Sequence, residues 1–307
     1  IFSIMLAWSN SLFVIPNTLK FLPEAVLTLL AFKPIFSNIK NMMFISSWLL
    51  RPCLYCLTNF GIEFNKEVNT EFDSNKIRLN ILNDYVDYFV IIEGNKTWQN
   101  NSKEFKFDIN KFKEFQNKII YIQVKDLPDG EDPYLRENFQ RNCILRGIEA
   151  AKEDDLILIS DLDEIPNPKK LNVFNIKDRY AAFKQKHFYY KLNLQSEKNP
   201  FWIGTRICLK KYLKSPQWLR ELKFKKRPFW RIDKFRLNNI IDDGGWHFCN
   251  LKKPEDLLYK YKNLCETNDP YHFKERINEK YLNLEQIKEQ ILKNKDIIGR
   301  DDTFKKV

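Results

Sequence analysis

The residues best placed to do chemistry are Asp161 and Asp163, in the run Leu156-Ile-Leu-Ile-Ser-Asp161-Leu162-Asp163-Glu164-Ile165-Pro166. An apolar strand runs straight into Asp-x-Asp and is stopped by Pro166 and Pro168. In extended chain, residues i and i+2 point the same way, so the two carboxylates are expected side by side. At the carboxyl end of a parallel strand they would face the crevice where open α/β sheets take ligands. Two close carboxylates repel unless a cation bridges them; a hard divalent ion does this, with a diphosphate completing its oxygen shell. The plainer alternative is a strand-end turn with solvated acids.

Other chemistries are disfavoured. Eight glycines at 61, 94, 130, 147, 204, 244, 245 and 299 form neither G-x-G-x-x-G nor a phosphate-binding loop, and there is no G-x-S-x-G elbow. Three histidines do not suffice for a multi-histidine zinc centre. Six cysteines at 53, 56, 143, 208, 249 and 265 include one C-x-x-C, Cys53–Cys56, inside an apolar run. With no second pair for a zinc ribbon, the thiols are expected to be unpaired and structural.

The 307 residues hold 51 Lys and Arg against 40 Asp and Glu, a net +11. Between Lys184 and Arg236 sixteen basic residues face only Glu197, Glu221 and Asp233. Such a field attracts phosphate, anionic lipid, nucleic acid or a nucleotide-sugar, or is simply a solvated basic surface. Interleaved aromatics (Phe188, Tyr189, Phe201, Trp202, Trp230) suit sugar or base stacking and a half-buried sheet equally. A nucleic-acid partner would rest on this stretch alone and is not expected.

These side chains need a scaffold. Residues 1–60 read as an apolar extension interrupted by Pro16, Pro23, Pro34 and Pro52: a remnant membrane anchor within 1–57, a stretch packed on the body, or a poorly ordered one with no stable fold. Residues 61–307 read as the globular domain. The pattern predicts helices over Lys76–Asn83 and Ile109–Gln116 and a long one over Tyr134–Lys152. Strands are expected over Val86–Glu93, Lys118–Val124 and Asp155–Ser160, then around Ala181–Leu194, Trp202–Leu209 and Phe229–Ile232. Two further helices close the chain at Pro254–Glu266 and Leu284–Lys293. Alternating strands and helices point to an α/β fold with a mostly parallel central sheet flanked by helices.

Five ordered blocks resemble glycosyltransferase family 17, the β-1,4-mannosyl-glycoprotein 4-β-N-acetylglucosaminyltransferases. They are Ile77-Arg-Leu-Asn-Ile-Leu-Asn83, Val86–Thr97, Arg136-Glu-Asn-Phe-Gln-Arg-Asn142, Ile159–Pro166 and Gly244-Gly-Trp-His-Phe248. The resemblance implies a GT-A-like nucleotide-sugar-binding fold, a UDP-sugar donor such as UDP-N-acetylglucosamine, a mannose-containing glycan acceptor, and Mn²⁺ or Mg²⁺. On that reading Asp161 and Asp163 hold the metal, with His247 as third ligand or diphosphate contact. Asp243 is the candidate base for the acceptor hydroxyl, with Asp242 or Glu164 as substitutes. Glu93, Arg136, Asn138, Arg141, Arg206, Arg231 and Trp246 are candidate donor or acceptor contacts. A Golgi-type, membrane-associated setting follows if the extension is an anchor, a cytoplasmic one otherwise. The competing reading is a phosphohydrolase of the haloacid dehalogenase type, whose nucleophile also sits in a strand-end Asp-x-Asp. Ile165 stands where that motif usually has Thr or Val.

Overall fold

The computed structural model describes residues 54–60, 74–224, 239–269, 276–279 and 282–307. Strand β1 (Leu54–Phe60) pairs in parallel with β2 (Tyr88–Gly94) on one side and with β4 (Leu156–Asp161) on the other. β2 in turn pairs in parallel with β3 (Ile119–Val124). The spatial order is therefore β3-β2-β1-β4. The chain works outward from β1 to β3, then returns to the far side of β1 for β4. That reversal is a topological switch point, the place where open α/β sheets take ligands at the strands' carboxyl ends. Asn59 of β1 stands in register with Asp161 of β4 across it.

Beyond β4 the sheet becomes antiparallel. β8 (Phe201–Leu209) pairs with β4, β6 (Tyr180–Tyr189) with β8, β7 (Leu194–Ser196) with β6, and β11 (Phe304–Lys306) with β7. β9 (Ile240–Ile241) and β10 (Gly245–Cys249) add to β6 in parallel, and β5 (Glu164–Pro166) pairs antiparallel with β10. The α/β class expected from the alternation is what forms. The sheet is mixed, its parallel part confined to β1–β4 and the β9 and β10 pairings.

The apolar runs of β2 and β4 are continuous because both sheet faces are covered. Phe89, Ile91 and Leu158 point to one face, under α1 (Ser74–Leu82) and a 3₁₀ segment, Ile109–Lys118, that buries Phe112 and Phe115. Val90, Ile92, Ile157 and Ile159 point to the other face and meet Cys143, Ile144 and Ile148. Full burial of each such side chain contributes about 1.5–3 kcal/mol. A separate cluster of Leu257, Tyr261 and Ile287 joins α4 (Pro254–Lys262) to α5 (Leu284–Leu292).

Two expectations change. The helix predicted over Tyr134–Lys152 is much shorter: α2 spans Pro133–Asn142, followed by a 3₁₀ turn, Cys143–Gly147. There the chain drops onto the sheet to bury Cys143, Ile144 and Ile148. Gly147 is pressed so close to Val90 that a Cβ would strike its methyl groups. The globular domain begins before residue 61, because β1 lies at the middle of the parallel strands and the compact unit runs from Pro52 to Val307. The strand expected over Phe229–Ile232, and residues 1–53 with their anchor reading, lie outside the described residues. Among the described residues no helix is long and apolar enough to cross a membrane.

Candidate functional site

The alternation of β4 that buries Ile157 and Ile159 on one face carries Asp161 to the same side, toward α2 and toward α3 (Pro216–Glu221). α3 begins where Ser215 caps it, its side chain accepting from Trp218 N at 3.2 Å, and it ends by presenting Arg220. Arg220 Nη2 donates to Asp161 Oδ2 at 2.6 Å, and Arg141 Nη2, in the last turn of α2, lies 3.5 Å from Asp161 Oδ1. The same Arg220 grips Glu164 with both terminal nitrogens at 3.0 Å. Glu164 is fully buried and also accepts from Trp202 Nε1 at 2.8 Å. From the opposite face the buried Arg78 donates to Ser160 Oγ and to the carbonyls of Glu164 and Asp161. Arginines from both faces thus hold the acidic turn.

Leu162 and Asp163 form a turn rather than a continuation of the strand, so the two acids meet different partners. Asp163 Oδ1 lies 3.3 Å from His247 Nε2, and its carbonyl accepts from Phe248 N at 2.8 Å. The β5–β10 ladder sets His247 opposite Glu164, and the β6–β10 ladder sets it beside His187. The two imidazoles stack with centroids 4.8 Å apart and planes 3° from parallel. Cys249 Sγ lies 3.3 Å from His247 Nε2 and 3.4 Å from His187 Nε2, and Trp202 packs at 5.1 Å from His247.

The titration behaviour follows from these contacts. Burial alone would push the Asp161 carboxyl up, but the Arg220 and Arg141 guanidiniums overcome it and hold the group below the usual range, against the repulsion of Asp163. Burial likewise opposes ionisation of Asp163, and the charge and hydrogen bond of His247 reverse that. For His247 burial favours the neutral ring, yet Cys249 and Asp163 raise its pKa well above the ordinary value. Burial and the neighbouring His247 cation lower His187 to about 4.

Among the described residues most of the remaining sequence candidates hold other partners, and Arg206 adjoins the cluster only through the Gly204 carbonyl it shares with Arg220. Asp242 and Asp243 are exposed in the turn before β10, where Asp242 pairs with Lys184 at 3.0 Å and Asp243 accepts from Asn167 Nδ2 at 3.3 Å. Asn167 follows β5, four residues beyond Asp163, at on the order of 3.3 Å per residue of extended chain. Asp243, the candidate base, and its substitute Asp242 are thus held in an exposed turn, and the other substitute, Glu164, is saturated by Arg220 and Trp202. Glu93 is fully buried and accepts from Lys103 Nζ, Lys106 N, Phe107 N and Tyr121 Oη, so it staples a loop. Arg136 is buried and donates to the carbonyls of Trp98 and Gly130. Asn138 is half-buried on α2. Arg206 is buried, donates to the Ile203 and Gly204 carbonyls and stacks over Phe224, and desolvation lowers its pKa to about 10. Trp246 projects to the opposite face of β10 from His247. Arg231 lies outside the described residues.

Arg220, Arg78, His187 and Cys249 were not nominated from sequence. Arg220 is one of sixteen basic residues in this stretch that look alike in one dimension. Cys249 and His187 are 62 positions apart and meet only through the β6–β10 ladder. The histidine count, read as excluding a multi-histidine centre, missed that two of the three converge with a thiol. Among the described residues Cys143, Cys208, Cys249 and Cys265 are unpaired, as expected.

A doubly wound α/β domain with paired acids at its switch point is the class that fold and site define. The chain belongs to glycosyltransferase family 17, whose sequence profile matches residues 65–302. That membership sets aside the phosphohydrolase alternative. The human β-1,4-mannosyl-glycoprotein 4-β-N-acetylglucosaminyltransferase is 24% identical over 219 residues, covering 63% of this chain and 41% of the human protein. The proteins of the same name from Rattus norvegicus and Mus musculus are 24% and 23% identical over the same length. The chain thus spans about two fifths of the length of these curated relatives. Among solved structures, a 4-diphosphocytidyl-2C-methyl-D-erythritol synthase is 11% identical with a TM-score of 0.37, covering 67% of this chain and 96% of its own. A glycosyltransferase involved in glycosylation of the PBCV-1 major capsid is 16% identical with a TM-score of 0.27, covering 62% and 81%. The strand order described above, not these likenesses, defines the fold.

Proposed function

We propose that this domain is a metal-dependent, inverting glycosyltransferase that moves N-acetylglucosamine from a UDP-sugar to a mannose-containing glycan in β-1,4 linkage. The observation that carries the reading is the placement of Asp161 and Asp163 at the carboxyl end of β4, beside the switch point, in a chain of this family. Their side chains remain about a third and a sixth exposed, at 33% and 17%, so neither carboxylate is sealed from solvent. With His247 adjoining Asp163, this donor set suits Mn²⁺ or Mg²⁺. When bound, the ion would neutralise charge on the departing diphosphate.

The chain's own residues do the rest. Arg220 and Arg141 fix the Asp161 carboxylate before any ligand arrives, a preorganisation that avoids reorienting it during reaction. The Nε–H of Arg141 is buried without a hydrogen-bond partner, a donor edge suited to a phosphate oxygen. Trp202, 40% exposed and anchored by Glu164, offers a flat face for a sugar ring. Asp242 and Asp243, in their lysine-paired turn, are assigned to shaping the rim rather than to proton transfer.

The test is UDP release and glycan product formation by the purified protein with a panel of UDP-sugars and Mn²⁺. Asp161→Asn and Asp163→Asn should each lower turnover by about a hundredfold or more, the scale expected when one preorganised charge group is lost. Asp242→Asn with Asp243→Asn should leave it within about threefold, well under the 10²–10⁴ contributed by a positioned general base. Normal transfer by both Asp161 and Asp163 variants would overturn the assignment.

A further inference from the structure

We infer that His187, His247 and Cys249, with Asp163 as fourth ligand, form a binding site for a borderline-soft divalent cation of the zinc type, separate in chemistry from the hard-cation role of Asp161. The three side chains offer ligand atoms that all lie within 4.8 Å of one another. Zinc–nitrogen bonds of about 2.0–2.1 Å and zinc–sulfur bonds of about 2.3 Å require tetrahedral edges of roughly 3.3–3.7 Å. The observed separations are 3.4 Å for His187 Nε2 to Cys249 Sγ, 3.3 Å for Cys249 Sγ to His247 Nε2, and 3.3 Å for His247 Nε2 to Asp163 Oδ1. The rings stack within 3° of parallel, so one must turn about χ2, a soft torsion, to aim both lone pairs at a common point.

A second, independent feature is the outer support. His187 Nδ1 lies 3.1 Å from the Asn199 carbonyl. A carbonyl can only accept, so the proton sits on Nδ1 and Nε2 presents its lone pair to the cluster. Ligating histidines are generally oriented by such a bond. Both histidines are buried, and Trp202 lies against each, at 5.8 Å from His187 and 5.1 Å from His247. One thiolate and one carboxylate would balance the ion's charge, and a thiolate with imidazoles selects zinc over magnesium or manganese. Because His247 and Asp163 also serve the proposed donor site, zinc held here competes with Mn²⁺ and inhibits transfer. That consequence rests on the proposed transferase reading, whereas binding does not.

The test is titration of tag-free protein with Co²⁺, read by absorption and followed by displacement with Zn²⁺. A near-ultraviolet thiolate-to-cobalt band with tetrahedral visible bands, lost on adding Zn²⁺, is expected. Cys249→Ser should abolish the thiolate band, and His187→Gln should weaken Zn²⁺ binding at least about tenfold. Asp161→Asn should keep the band. Absence of the band in the unaltered protein, its persistence in Cys249→Ser, or its loss in Asp161→Asn would overturn the inference. A protein that binds Co²⁺ as described yet transfers no sugar would sink the transferase reading alone.

Discussion

Arg220 answers two carboxylates at once, and its removal separates structure from catalysis. Glu164 is fully enclosed and Arg220 is the guanidinium that grips its carboxylate in a fork, so Arg220→Ala strands a buried charge. The expected cost is about 3–5 kcal/mol in urea unfolding. Arg220→Lys should recover only part, since an ammonium cannot fork across both oxygens. Cys208, fully buried on β8, gives a prediction for alkaline pH. Burial pushes its thiol up to about 12 from an ordinary 9.0. The unfolded thiol ionises first, so this contribution is intact below pH 9 and is lost as pH rises from 9 toward 12. The loss approaches about 1.4 kcal/mol per pH unit at most. Cys208→Ala should flatten the fall in stability between those limits, and an unchanged slope would count against it.

At the scale of elements, β10 delivers His247, and its geometry depends on Gly245. This residue has φ +112°, and a Cβ would collide with the Ile165 carbonyl and Asn167 N of the β5 ladder. Gly245→Ala should therefore cost about 1–3 kcal/mol from backbone strain. It should also displace His247 from Asp163, so turnover falls further than thermal stability alone explains. Nuclear magnetic resonance of the His247 ring before and after substitution would show the movement. None of this was legible in the local sequence beyond the Gly-Gly pair itself. The long helix expected over Tyr134–Lys152 failed for a related reason: its amphipathic spacing was real, but Ile144 and Ile148 are buried against Val90 and Ile92 by a chain that has already left the helix.

For the molecule as a whole, the central position of β1 is decisive. It carries the ladders to both β2 and β4, so a chain beginning at residue 61 exposes two unpaired strand edges in mid-sheet. Such a truncation should yield insoluble protein or a broad, non-cooperative thermal transition, whereas a sharp transition would place the domain boundary where the composition suggested. Metal removal acts at this scale also. Chelation should abolish transfer while changing the melting temperature little, because Arg220, Arg141 and Arg78 already hold the acidic turn.

The alternation of β-branched runs with amphipathic segments was sufficient to establish the α/β class, and the strand-to-Asp-x-Asp junction to locate Asp161 and Asp163, because both depend on neighbours within a few residues. The partners of those acids were decided elsewhere. Arg220, Arg78, His187 and Cys249 reach the site through ladder register and helix placement, which join positions 56 or more apart and leave no trace in spacing. The same holds for Asp242 and Asp243, which look catalytic in one dimension, and for Glu93, which looks like a ligand contact; all three are bound to lysines or backbone amides in three. Local sequence can specify which groups are ionisable, but only packing decides which counter-ion each one meets.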